Sequence, residues 1–210
     1  MLTLSIFCSS QTISLAIYSD KNLENFSEKK IINGKVEGVF GIIQYFSNKH
    51  DFKNLKYIFI SIGPGSFTAL RSIKSISQAL ALRSNAKVMS TSTFTPFLVK
   101  NLNIAKNIIV SFRSTKMKFF YQQFSINKKK ILKKSNVFYD SAESFHDFFV
   151  TKEQRIDNLL LITDELKFSK KIDKRRIKVE LINAKDLANS IFSGFGTKKL
   201  DIFYHNTYYE

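Results

Sequence analysis

Tyr57-Ile58-Phe59-Ile60-Ser61-Ile62 runs straight into Gly63-Pro64-Gly65-Ser66-Phe67-Thr68-Ala69-Leu70-Arg71. The first six residues form a near-continuous apolar run, the pattern of a strand buried on both faces. From Leu70 to Arg83 the apolar residues recur at helical spacing. A buried strand, a tight glycine turn and a helix in that order place the first half of the chain in the α/β class. The turn presents backbone N–H groups at a helix N-terminus, which suits an anion. It carries neither the Gly-Lys-Ser/Thr ending of a Walker loop nor a GxGxxG pattern. Two readings of the motif stand side by side. It is an anion cradle, or it is a turn whose glycines allow close packing and whose Ser66 or Thr68 caps the helix.

Working outward, residues 2–7 and 12–18 are β-type runs separated by Cys8-Ser9-Ser10-Gln11 and predict a hairpin. A polar stretch from Ser19 to Lys30 follows. Val36, Val39, Phe40, Ile43 and Phe46 predict a helix over 35–49. Beyond the motif, Lys87-Val88-Met89 reads as a strand and Ser90 to Lys100 as a helix with Pro96 in its first turn. The second half looks antiparallel and α+β, with strands at Ile108 to Ser111, Met117 to Ile126 and Ile131 to Tyr139. Ser141 is placed to cap a helix through about Val150, with Glu143 in its first turn. Strands at Asn158 to Thr163 and Lys178 to Ile182 come next, and Asn183 caps a helix from Ala184 to Phe192. No long linker and no internal sequence repeat is visible.

At 210 residues the chain has room for one large domain or two small lobes. Its 44% hydrophobic and 24% charged content is that of a globular protein. A single Cys excludes a disulfide framework and a Cys-based zinc cluster. His50, His146 and His205 are too scattered for a metal helix, so no metal site is expected. No carboxylate pair or Ser-His-Asp set is readable, so no catalytic residue is assigned. Cys8 reads as a buried, inert thiol. The N-terminus lacks a basic leader and no run reaches the roughly 18 apolar residues of a membrane span, which predicts a soluble, cytoplasmic protein. The net charge of +16 fits contact with phosphate backbones. A solvated surface enriched in Lys by biased composition is the favoured reading, with clusters at Lys128-Lys129-Lys130, Lys133-Lys134 and Lys170 to Arg176.

The two helices flanking the buried strand are apolar or small on two faces. Gly38, Gly41, Ile42 and Tyr45 lie across the wheel from Val36, Val39, Phe40, Ile43 and Phe46. Ser72, Ser75 and Ala79 lie across from Leu70, Ile73, Ile76 and Leu80. A helix apolar on two faces is buried on two faces. The second face meets either a partner protein or the chain's own second lobe.

Gly63 to Arg71 resembles the GPGSFTGLR signature of the TsaB (YeaZ) family, with Ala69 in place of one Gly. The similarity extends to the N-terminal hairpin, to the helix before the motif and to Lys87-Val88-Met89-Ser90-Thr91-Ser92-Thr93-Phe94 after it. It covers about residues 1–100; beyond them it rests on Phe119-Phe120-Tyr121 and Phe203-Tyr204. Two departures concern acidic positions. Phe7 stands where the family has the Asp of its first turn, and Ser111-Phe112-Arg113-Ser114 has no counterpart of the Asp in its "DAR".

The resemblance implies an α/β protein of two small lobes of the actin-like ATPase, RNase H-like (ASKHA) type, mixed sheets flanked by helices, divided at 1–104 and 105–210. It implies a non-catalytic subunit in synthesis of tRNA N6-threonylcarbamoyladenosine at position 37. Such a subunit would hold a TsaD-like catalytic paralogue, with a TsaE-like ATPase docking, ATP used by the complex, no cofactor on this chain and tRNA reached through the complex. In isolation the chain could pair with itself. A degenerate free-standing ATPase or kinase of the superfamily, or an RNA-binding protein, are the alternatives.

Overall fold

β1 (Leu2–Cys8) and β2 (Thr12–Ser19) are buried along almost their whole length, on both faces, and pair antiparallel as the sequence predicts. The computed structural model describes residues 1–9, 12–30, 38–114, 118–165 and 174–203. The polar stretch after β2 is a further strand, β3 (Asn22–Lys30), turned back by Asp20 and Lys21 at φ 47° and 70°. Positive φ at both turn residues suits the twist of a two-residue hairpin. β3 escapes the sequence pattern because it is an exposed edge with no buried face to impose alternation.

The chain then forms α1 (Gly38–Ser47), β4 (Leu55–Ser61), α2 (Phe67–Ser84), β5 (Lys87–Thr91) and α3 (Phe94–Lys100). The expected start of the first helix at 35–37 lies outside the described residues. β4 runs parallel to β1 and β5 parallel to β4, giving the order β3-β2-β1-β4-β5. Ser90 and Thr91 belong to β5 and not to the helix expected from Ser90, because they continue the ladder opposite Ile60 and Ser61.

The second sheet contains β6 (Asn107–Arg113), β7 (Lys118–Asn127), β8 (Lys130–Lys133), β9 (Phe138–Ser141), β10 (Leu159–Thr163) and β11 (Ile177–Val179). Its order is β11-β10-β6-β7-β8, with β9 also on β7. β10 is parallel to both β6 and β11, so this half is mixed and not purely antiparallel. The single strand expected over Ile131 to Tyr139 is two. The Ser135 side chain takes the Gln123 main-chain N–H at 3.0 Å, and the backbone leaves the ladder between them. α4 (Ala142–Glu153) follows, capped by Ser141 on the Ser144 N–H as expected. Taking β8 and β9 as one edge, both sheets have the same connectivity. The sequence shows no repeat, but the fold is one.

Two compact lobes result, and the division differs from 1–104 and 105–210. The first is Met1–Pro96 together with the segment from Ile182, the second Phe97–Leu181. The last helix, α5 (Ala184–Ser190), returns to β1, β2 and β4. Ser5 and Ser14 draw it in, one donating to Ala184 O at 2.7 Å and the other accepting from Ala184 N–H at 2.8 Å. Asn183 and Asp186 close a capping box at its start. It ends at Ser190, not Phe192, passing into a π turn, Ile191–Phe195, within which Gly194 takes φ 91°.

In the first lobe α1 lies over β2 and α2 over β1 and β4. Ile42, Phe46, Ala69 and Ile73 join Leu4, Ile6, Leu15 and Ile58 in one core. The second lobe's core joins Ile109, Tyr121, Leu159 and Leu161 to Phe145 and Phe149 of α4. Among the described residues no helix is long and apolar enough to cross a membrane.

Candidate partner interface

The signature turn and the small-residue helix face are parts of one element. β4 ends at Ser61, and α2 begins inside the motif at Phe67, with Ser66 as its N-cap. Gly63 is the tightest point. Its φ is +102°, and a Cβ there would lie 3.0 Å from Phe203 O and 3.2 Å from Leu70 Cδ1. Its carbonyl accepts from Thr93 N–H at 2.8 Å and from the Ser92 hydroxyl at 3.2 Å, and the neighbouring Ile62 O accepts from Phe203 N–H. The Gly63–Pro64 peptide is cis, and Pro64 is buried. Gly65 is different: a Cβ would find Leu70 at 3.6 Å, an ordinary contact. The motif therefore fits the reading of a packing turn with a Ser66 cap, in which Gly63 carries the steric demand.

Past the turn α2 divides cleanly. Ala69, Leu70, Ile73, Ser77 and Ser84 are buried against the sheet. Thr68, Arg71, Ser75, Ala79 and Leu82 are exposed and, at 100° per residue, lie on one stripe with the half-buried Ser72. The stripe runs about 21 Å along the helix at 1.5 Å per residue. Leu82 is 88% exposed. Arg71 extends over the Phe67 ring at 4.9 Å, so the last residue of the signature belongs to this outer face. Exposed faces of soluble helices are ordinarily filled with long charged chains. Here the centre is Ser and Ala, and Leu82 stands beside it unburied.

On α1 the expected set divides. Tyr45 is 49% exposed, with its hydroxyl 2.7 Å from Lys49 Nζ, and a Cβ on Gly41 would meet nothing within 4 Å. Ile42 is a correction: at 1% exposure it packs with Phe46 one turn on, inside the core. The side-chain surroundings of Gly38 lie outside the described residues.

Phe7 is 2% exposed and Ser111 fully buried, so the carboxyl end of neither β1 nor β6 presents a carboxylate. An acidic pair that the sequence reading missed stands at the end of β10. Asp164 accepts the Arg113 N–H at 3.0 Å, and Glu165 takes the Arg113 guanidinium at 3.0 Å. Burial pushes the Asp164 carboxyl up to about 6, and Glu165 beside it adds to the rise. The signal was an Asp-Glu directly after an apolar strand, but only the pairing of β6 with β10 brings Arg113 to it. Burial likewise pushes the Cys8 thiol up to about 12, far from a nucleophile's range. His50 shares a hydrogen bond with Asn25, His146 sits beside Asp147, and His205 lies outside the described residues. Among the described residues, no three of His, Cys, Asp and Glu are grouped to hold a metal ion.

No family model matches the chain. It is 28% identical over 196 residues to the tRNA threonylcarbamoyladenosine biosynthesis protein TsaB of Buchnera aphidicola subsp. Acyrthosiphon pisum (strain APS), covering 89% of this chain and 86% of that protein. Its fold is similar to YeaZ from Pseudomonas aeruginosa, with a TM-score of 0.68 at 13% identity over 97% of this chain and 99% of that one. A Bacteroides thetaiotaomicron protein with an actin-like ATPase fold superposes with a TM-score of 0.51 at 14% identity, over 91% of this chain and 95% of that one. The two mixed sheets and their helices are thus an actin-like ATPase fold.

Proposed function

We propose that this chain, which belongs to the TsaB/YeaZ family, acts in tRNA threonylcarbamoyladenosine biosynthesis as a non-catalytic subunit that holds a TsaD-like catalytic paralogue. The contact surface is the outer face of α2, with Thr68, Arg71, Ser72, Ser75, Ala79 and Leu82, joined by Gly41 and Tyr45 of α1. Small side chains let a facing helix approach to the short end of the 8–10 Å packing range. Leu82 and Tyr45 supply the apolar area, and Arg71 and Arg83 form a basic rim. The observation that carries this reading is Leu82, 88% exposed on a face whose centre is Ser72, Ser75 and Ala79. A subunit of this kind needs no acidic metal site of its own. ATP is used elsewhere in the complex, where a TsaE-like ATPase docks, and the whole acts in the cytoplasm.

Affinity capture of the tagged chain from its own lysate tests the proposal. The TsaD-like paralogue should co-purify, and the pair should form threonylcarbamoyladenosine on tRNA where the chain alone does not. Turnover by the isolated chain, abolished by mutating one of its own residues, would overturn the non-catalytic assignment.

A further inference from the structure

The net charge of +16 is not spread over the chain. Between Asp51 and Asp140 there is no Asp or Glu, and the 16 Lys and Arg of residues 52–139 equal the whole excess. The remaining residues hold 17 basic and 17 acidic side chains and sum to zero. A general enrichment in Lys would not segregate in this way.

Within that segment the fold gathers the densest group on one ribbon. β7 and β8 are antiparallel, with Asn127 opposite Lys130 and Lys128-Lys129 forming the turn at φ 46° and 64°. Lys133 and Lys134 continue β8 outward, and Lys106 stands at the base, its carbonyl accepting the Ile126 N–H at 2.8 Å. All six lysines are exposed, and among the described residues none has a carboxylate partner. At about 3.3 Å per residue, Lys130 and Lys133 stand about 10 Å apart, one Debye length at 0.1 M salt, so neighbouring fields reinforce.

The equivalent hairpin of the first lobe is an internal control. β2–β3 is also a sheet edge, yet it mixes Asp20, Lys21, Glu24, Glu28, Lys29 and Lys30. Guarding an edge against unwanted pairing therefore does not require charges of one sign. We infer that the β7–β8 ribbon, with Lys106, is a contact for the phosphate backbone of RNA. Its one well-exposed apolar residue, Leu132, and the absence of aromatics at its tip favour a polyanion over a lipid surface and backbone contact over base reading. The choice of tRNA as the RNA rests on the function proposed above.

The test is filter binding of bulk unmodified tRNA to the full chain between 50 and 200 mM salt. One variant is Lys128, Lys129, Lys133 and Lys134→Gln. A charge-matched control is Lys29, Lys30, Lys198 and Lys199→Gln, all exposed and outside the acid-free segment. The ribbon variant should bind at least about tenfold more weakly at 50 mM, with a log–log salt slope shallower by about 3, at 0.7–0.9 per lost phosphate contact. The control should keep most of the affinity and slope. Equal losses in the two variants would reduce the effect to net charge and overturn the inference. So would wild-type binding to phosphatidylserine vesicles that is tighter than to tRNA and is lost with the ribbon lysines. Capture of the TsaD-like paralogue is read in parallel: if the chain captures it but binds no tRNA, the ribbon inference fails and the subunit proposal stands.

Discussion

The two lobes share a strand order and differ in what they offer to solvent. In the first, β4 and β5 are joined by an 18-residue helix whose outer face has small residues, Ser72, Ser75 and Ala79, at its centre beside exposed Leu82. In the second, the outward feature is a lysine ribbon at the far sheet edge. The same strand order thus carries two kinds of exposed surface, one centred on small side chains beside Leu82 and one built of lysines. The strand ends differ too. β1 closes with buried Phe7 and Cys8, whereas β6 closes with Arg113 against Asp164 and Glu165. The lesson is that fold alone does not assign the role of an equivalent position.

The largest effects should come from the cores. Phe46→Ala in the first lobe and Phe145→Ala in the second each remove a fully buried ring. Each should cost about 3–5 kcal/mol in urea denaturation. A cost below about 1 kcal/mol at either would mean that the lobe does not depend on the packing described.

Next comes the turn. Gly63→Ala places a Cβ against Phe203 O and Leu70 at φ +102°, and should destabilise by about 2–3 kcal/mol. Gly65→Ala, with open contact distances, should cost no more than about 1 kcal/mol. Equal costs would show that the motif is held by something other than this close approach.

The contrast between strand ends predicts a pH effect. Because folding raises the Asp164 pKa from 3.8 to about 6, its contribution is fully present below pH 3.8 and is lost as pH rises through 6. Asp164→Asn keeps an acceptor for the Arg113 N–H without the buried charge. Relative to wild type, the variant should gain on the order of 1–2 kcal/mol between pH 4 and pH 7.5. A flat difference across that range would show that the Arg113 pairing fully offsets the burial.

Much of this was legible before the fold was known, for identifiable reasons. Ser141 and Asn183 were readable as caps because the rule is local: a short polar side chain next to a helical period. The β1–β2 hairpin was readable because two mostly apolar β-type runs flank a polar turn. β3 was not, since it has no buried face to impose a pattern. Ile42 was misplaced because α1 is apolar around most of its circumference, so the wheel alone cannot say which arc faces the sheet; the pairing of Ile42 with Phe46 in the core decides it. The return of α5 depends on Ser5 and Ser14, two hydroxyls that look like nothing in a strand pattern. Asp164 with Arg113 needed the β6–β10 register.

The smallest effect on stability and the largest on function should fall on one residue. Ala79 is exposed at the middle of the α2 face, so Ala79→Trp should shift the melting of the isolated chain by no more than about 0.5 kcal/mol. Calorimetric titration of the TsaD-like paralogue into wild-type and Ala79→Trp chains measures whether that face is an interface. The account predicts at least tenfold weaker association, about 1.4 kcal/mol, with cooperative melting unchanged. Unchanged affinity in a normally folded variant would contradict it.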